Sequence, residues 1–396
     1  MSMRNQARIL LAAAALTAFT GLAQAQAQAP CGGSFSAWLE GMLAEARAAG
    51  VGDAGLRAIA SASVDPAVLK RDRAQGVFTL DFATFARKLI SQNRMDVGRS
   101  KLKQYASTFQ RARSEYGVAP EVITAFWGLE TDFGGYQGDF NTLNSIATLA
   151  HDCRRPELFR PQLISLARLI DLGVVPRGIT GAWAGEIGMV QVLPDDYLTK
   201  GRDGDGDGQV QLKTSAPDAI MTAANFLSSL GWRANEPWLI EVRVPAQMEW
   251  YDAGLHKALP VSEWQARGVS ARNGTLPPSN EAHLILPMGH KGPAFMAYPN
   301  FHVFLEWNQS LTYVLTAAYF ATRLGGAPIF DEGNPEPGLN QPQMKSLQQK
   351  LTADGFDVGE IDGILGAGTR AAVREEQKRV GLPADAWPTV RLLNAL

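Results

Sequence analysis

Apolar positions in the first hundred residues recur at helical spacing. Trp38, Leu39, Met42 and Leu43 lie three and four apart, and the helical pattern runs from 34 to 117. A further helix is predicted over 120–130, where Pro120 suits a first helical position and Gly134-Gly135 supplies a stop. Helices follow over 217–230, ending at Gly231, and over 311–324, with Ser310 as cap and Gly325-Gly326 as exit. Short β-like runs, such as 240–244 and 283–286, are few. Residues 327–343 are rich in Pro, Gly and Asn, lack periodicity and read as a linker. Beyond them Leu347, Leu351, Val373 and Leu392-Leu393 form the expected core of a small helical module. The expected architecture is mainly α with minor β. Its segments are a leader at 1–29, a large domain at 30–327, a linker at 328–341 and a module at 342–396.

Composition narrows the function classes. The 396 residues carry 37 Lys+Arg and 39 Asp+Glu, a net charge of −2, with no basic blocks. A nucleic-acid binder that works by neutralising phosphates is therefore not expected. Apolar types reach 46%, ample for a buried core, yet no apolar run past the N-terminus approaches the roughly 18 residues of a spanning helix. Arg4 and Arg8, the apolar stretch 9–22 and the A-x-A patterns at 23–29 describe a secretory signal peptide, and so a periplasmic protein. Two cysteines are too few for a thiolate metal cage, and outside the cytosol Cys31 and Cys153 are free to pair. Such a bridge would contribute roughly 4–5 kcal/mol on the chain-entropy model.

One carboxylate draws attention. Ile123, Phe126, Trp127 and Glu130 fall at i, i+3, i+4 and i+7 of the 120–130 helix, so Glu130 shares a stripe with two aromatic rings. An apolar setting disfavours the charged form and raises the pKa, as a general acid requires near neutral pH. Taken alone, the same position also suits a buried ion-pair partner or a solvated helix-end glutamate. Asp132 points to another face and does not complete the carboxylate pair that ordinary glycosidases employ.

The segment Trp127-Gly128-Leu129-Glu130-Thr131-Asp132-Phe133-Gly134 resembles the catalytic segment of the lytic murein transglycosylase B family. The resemblance continues through 141–150, through 181–191 and through Trp307-Asn308-Gln309-Ser310, in order over about 34–325. It implies a lysozyme-like helical catalytic domain that cuts the N-acetylmuramic acid–N-acetylglucosamine bond of peptidoglycan without adding water. Glu130 would act first as acid on the leaving oxygen, then as base on the C6 hydroxyl, giving a 1,6-anhydro end. No catalytic cofactor is implied. Gln191, Asn308 and Tyr313 match groove residues of the family, Trp307 stands where an aromatic is usual, and Trp183 is a further substrate-binding candidate. Departures are Ala182 for serine, Glu186 for a small residue and Phe226 for tyrosine. Glu186 is a candidate second acid.

Asp203, Asp205 and Asp207 stand at positions 1, 3 and 5 of an EF-hand-like loop, with Gly208 at 6 and the Gln209 carbonyl at 7. Thr214 replaces the usual glutamate at 12, while Asp218 matches the aspartate that closes the equivalent loop in the family. A structural calcium is expected here, although a solvated acidic turn uses the same residue types. Residues 342–396 resemble a three-helix peptidoglycan-binding domain through Leu347–Leu351, Asp362-Gly363, Gly368-Thr369-Arg370 and Gln377. Glu376 stands there for an aromatic, and Ala386 for a frequent glycine.

Peptidoglycan strands are thus the expected partner, with wall-machinery proteins as further candidates and the oligomeric state unconstrained. Rival readings are a non-catalytic wall-binding protein, a hydrolytic muramidase and a penicillin-binding-type serine enzyme. The last has Ser100-Lys101-Leu102-Lys103, but Ser91-Gln92-Asn93 precedes it, the wrong order.

Overall fold

The computed structural model describes residues 31–74 and 80–396, so the expected leader lies outside the described residues. The helical N-terminal stretch resolves into α1 (Phe35–Ala48), α2 (Asp53–Ala60), α3 (Pro66–Asp72), α4 (Phe82–Leu89), α5 (Gln92–Gln104) and α6 (Ala106–Tyr116). Next come α7 (Pro120–Thr131), β1 (Phe140–Asn141), α8 (Thr142–His151), α9 (Pro156–Asp171), β2 (Thr180–Gly181), α10 (Pro194–Lys200) and α11 (Ala216–Ser229). Cys31 and Cys153 form a disulfide that ties the segment before α1 to the end of α8.

α7 is the central element. Pro120 occupies its first turn, and Val122 through Gly128 are all buried, so the helix is covered on every side rather than along one stripe. It packs against α5, α6 and α11. Its end differs from expectation. The glycine pair does not stop it; Asp132 does, in the left-handed region at φ 51°, followed by Phe133 at 60° and Gly134 at 87°. The physical reason lies in what surrounds the turn. The Phe133 ring fills space that only glycine leaves open at Gly128, where a Cβ would meet Phe133 at 2.7 Å. The Asp132 carboxylate is held by Arg94 at 3.0 Å.

The chain then forms an antiparallel sheet of order β4-β3-β6-β5 from β3 (Leu239–Arg243), β4 (Ser270–Ala271), β5 (His283–Ile285) and β6 (Phe295–Ala297), with α12 (Val261–Ala266) beside it. Val242, Trp250, Trp264, Leu284, Met296 and Tyr298 give this sheet its own core. α13 (Pro299–Trp307) and α14 (Leu311–Leu324) return to the helical core, α14 lying against α7. α14 begins on Ser310, whose hydroxyl accepts from the Tyr313 amide, and ends at Gly325.

The expected linker behaves otherwise. It carries no helix, yet Phe330 is buried against Phe82 (5.2 Å) and Tyr319 (4.9 Å). The Asn334 amide donates to the Lys291 carbonyl at 2.8 Å, and Lys291 pairs with Glu336 at 2.6 Å. Pro and Gly exclude periodicity here without excluding packing. α15 (Gln341–Ala353), α16 (Ala367–Arg379) and α17 (Val390–Ala395) complete the small module around Leu347, Leu351, Val373 and Leu392. The module is docked: Tyr251 donates to Glu375 at 2.5 Å, Lys378 lies 4.3 Å over the Tyr251 ring, and His290 meets Asp385 at 2.6 Å. Glu376 is buried where an aromatic is usual because Arg379 pairs with it at 2.5 Å. Ala386 takes φ 61°, a conformation that favours glycine.

Candidate active site

Glu130 sits in the last turn of α7, half-buried. The two helices after the sheet bring donors to one of its oxygens. Trp307, the last residue of α13, donates its indole N–H to Glu130 Oε1 at 3.1 Å. Tyr313, in the first turn of α14, donates its hydroxyl to the same oxygen. Both hydrogen bonds to the carboxyl fall on Oε1, and none reaches Oε2. Burial pushes the Glu130 carboxyl up to about 7, against the opposing pull of the Tyr313 and Trp307 hydrogen bonds, while the charge of Glu186 adds to the rise. Burial and the Glu130 carboxylate also push the Tyr313 phenol well above its ordinary value. The phenol therefore stays a donor throughout the neutral range.

The other expected groove residues divide. Trp307 stacks on Phe126 at 4.3 Å and lies tilted against Phe226 at 5.2 Å. Its ring packs against these two, and its N–H holds Glu130. Asn308 caps the turn before α14 by accepting from the Ser310 amide at 2.9 Å. Gln191 has φ 49° and donates to the Gly188 carbonyl at 2.7 Å. Trp183 is half-buried against the main core, with no hydrogen bond or ring contact to Glu130. Glu186 is itself a burial-raised carboxyl, with Oε2 buried and unpartnered.

Thr131, unremarked in the sequence reading, joins these parts. Its hydroxyl donates to the Met189 carbonyl at 2.6 Å and accepts from the Gly134 amide at 2.9 Å. It thus fixes the end of α7 to the turn that carries Gln191. Its place next to Glu130 inside the quoted segment was the only available signal.

In the acidic loop, carboxylate oxygens of Asp203, Asp205 and Asp218 lie within 4.8 Å of one another. Asp218 is fully buried and accepts from the Gly204 amide at 2.7 Å and the Gln211 amide at 2.6 Å, which closes the loop. Asp207 lies outside that group of three and accepts from the Gln209 amide at 2.8 Å. Hard carboxylate oxygens gathered at one point fit a calcium ion.

Comparison with known proteins places this geometry. Residues 34–322 match the family described as transglycosylase SLT domain, and residues 340–396 match a peptidoglycan binding domain. Membrane-bound lytic murein transglycosylase B of Escherichia coli (strain K12) is 28% identical over 235 residues, 58% of this chain; the chain spans 64% of the length of that curated relative. The crystal structure of SltB3 from Pseudomonas aeruginosa in complex with NAG-anhNAM-pentapeptide superposes with a TM-score of 0.83 at 36% identity, covering 92% of this chain and 99% of that one. Escherichia coli Slt35, solved in complex with calcium, shares the fold at a TM-score of 0.63, 23% identity, and coverage of 75% of this chain and 96% of that one. The chain belongs to the lytic murein transglycosylase B family and ends in a peptidoglycan-binding domain.

Proposed function

We propose that this chain is a lytic transglycosylase that cleaves the bond between N-acetylmuramic acid and N-acetylglucosamine in peptidoglycan, with Glu130 as acid and then base. The observation that carries the reading is Glu130 itself: a burial-raised carboxyl at about 7, with one oxygen fixed by Tyr313 and Trp307 and the other free of hydrogen bonds. The protonated carboxyl gives its proton to the leaving glycosidic oxygen as the C1–O bond breaks. The carboxylate then takes the proton of the muramic acid C6 hydroxyl as that oxygen bonds to C1, closing a 1,6-anhydro ring. The acid is regenerated and no water is consumed. An intramolecular nucleophile gains its rate from orientation, which suits a site with one acid. Gln191, Asn308 and Trp183 line the groove in this reading.

The relatives support the substrate. SltB3 was solved with NAG-anhNAM-pentapeptide and with NAG-NAM-pentapeptide, and the C-terminal module belongs to a peptidoglycan-binding family. Asp203, Asp205 and Asp218, with Asp207 and the Gln209 carbonyl as further ligands, would hold a structural calcium that stiffens the loop and takes no part in the chemistry. The protein works in the periplasm after loss of its leader; among the described residues no helix is long and apolar enough to cross a membrane.

Digestion of purified peptidoglycan in ¹⁸O-water tests the reaction type. Unlabelled anhydro-muramic ends are expected. Labelled reducing ends would mean a hydrolase, with Glu186 as the first residue to test as second carboxylate.

A further inference from the structure

Seven large hydrophobic side chains are exposed among the described residues. Among those exposed in the described residues, Tyr136 is the only aromatic, and it is 69% exposed. It stands six positions after Glu130, and its backbone is not loose. The Tyr136 amide donates to the Thr131 carbonyl at 2.9 Å, one residue from the acid. On its other side, Gln137 donates to the Gly134 carbonyl at 3.3 Å and the Lys213 carbonyl at 3.0 Å, and its own carbonyl accepts from Gln191. The run of left-handed residues from Asp132 to Gly134 is locked by Arg94 and by the buried Phe133 ring. Among the described residues no aromatic or cationic side chain packs on Tyr136, in contrast to Trp307.

We infer that Tyr136 is a sugar-stacking platform at the rim of the groove, taking the apolar face of a pyranose ring in a glycan strand whose neighbouring bond lies at Glu130. This rests on the proposed peptidoglycan reading and adds a binding residue to it. The physical case is that of a rigid aromatic presented at low entropic cost. Its loop is ordered before binding, and a Tyr ring has two torsions to fix. A hydrogen-bonding role is secondary, because the flat face suits the axial C–H groups of a sugar ring.

The test compares wild type with Tyr136→Ala, Tyr136→Phe and Tyr136→Trp on isolated glycan strands and on a short disaccharide-repeat substrate. Tyr136→Ala is expected to raise KM on strands about tenfold with kcat within twofold, and Tyr136→Phe and Tyr136→Trp to restore it. KM unchanged for Tyr136→Ala, or equal loss in Tyr136→Phe, would overturn the platform. Binding is read separately by calorimetry of glycan strands on Glu130→Gln and on Glu130→Gln/Tyr136→Ala. A wild type that yields no anhydro ends would overturn the catalytic reading, while roughly tenfold weaker binding by the double variant would still establish the platform. Equal binding by both would remove it.

Discussion

Tyr313 lies 183 positions beyond Glu130 and donates its hydroxyl to Glu130 Oε1, the oxygen that Trp307 also reaches. Two donors on one oxygen leave a proton to Oε2. They also fix the carboxyl plane, so that in the proposed reaction the acid would be aimed before substrate arrives. A residue at the start of α14 thus opposes the rise that burial imposes on the carboxyl and, with Trp307, fixes its orientation.

Tyr313→Phe keeps the ring and removes the donor. A hydrogen bond that favours the carboxylate is lost, so the Glu130 carboxyl rises further above about 7. The alkaline limb of the pH–rate profile is expected to move upward while kcat falls about tenfold, the scale of one hydrogen bond to a charged group. An unmoved limb would mean that Tyr313 does not govern the acid.

Glu130 also links stability to pH. Its carboxyl is raised in the folded state from 4.5 to about 7, so the native state holds the proton more tightly than the unfolded chain. That contribution is full below the unfolded value and is lost as pH rises through about 7. Glu130→Gln should therefore be more stable than wild type at pH 8, by on the order of 2 kcal/mol, with the difference gone near pH 4. Denaturant midpoints at both pH values check this.

The Cys31–Cys153 bridge closes a loop with a sequence separation of 122. Cys153→Ser is expected to lower unfolding free energy by about 5 kcal/mol on the chain-entropy model, read by urea denaturation with and without reductant. The substitution should leave the pH profile of any residual activity in place, since the bridge lies outside the Glu130 cluster.

Calcium is expected to raise the melting temperature of the wild type and to be removed by chelator. At a hundredfold excess over Kd the stabilisation is about 2.7 kcal/mol. Asp203→Asn/Asp205→Asn should melt at one temperature with or without the ion. A wild type insensitive to calcium would return the loop to an acidic turn.

Ala386 at φ 61° offers a stabilising change. Ala386→Gly relieves a left-handed alanine, and a gain of about 0.5–1 kcal/mol is expected for the docked module, measured by thermal unfolding.

Much of the fold was legible in sequence where local chemistry decides it. Ser310 and Gly325 bound α14 as expected, because caps and exits act over one turn. The end of α7 was not legible, since Asp132 and Phe133 stop the helix through Arg94 and Gly128, partners set by the tertiary fold. The same holds for the segment at 328–341, which packs through the buried Phe330 ring and through the contacts of Asn334 and Glu336 with Lys291. At the site, Glu130 and Tyr313 were read from motif resemblance. That Trp307 serves the carboxyl by its N–H while its ring packs on Phe126 required the structure. Tyr136 carried no periodic signal, because exposure beside a distant chain segment has no sequence signature.

The most direct measurement is mass spectrometry of the fragments released from purified peptidoglycan by the wild type and by Glu130→Gln. The account predicts 1,6-anhydro-muramic ends from the wild type and none from Glu130→Gln, with the variant still binding the polymer. Anhydro ends released by Glu130→Gln at the wild-type rate, or none from the wild type, would contradict it.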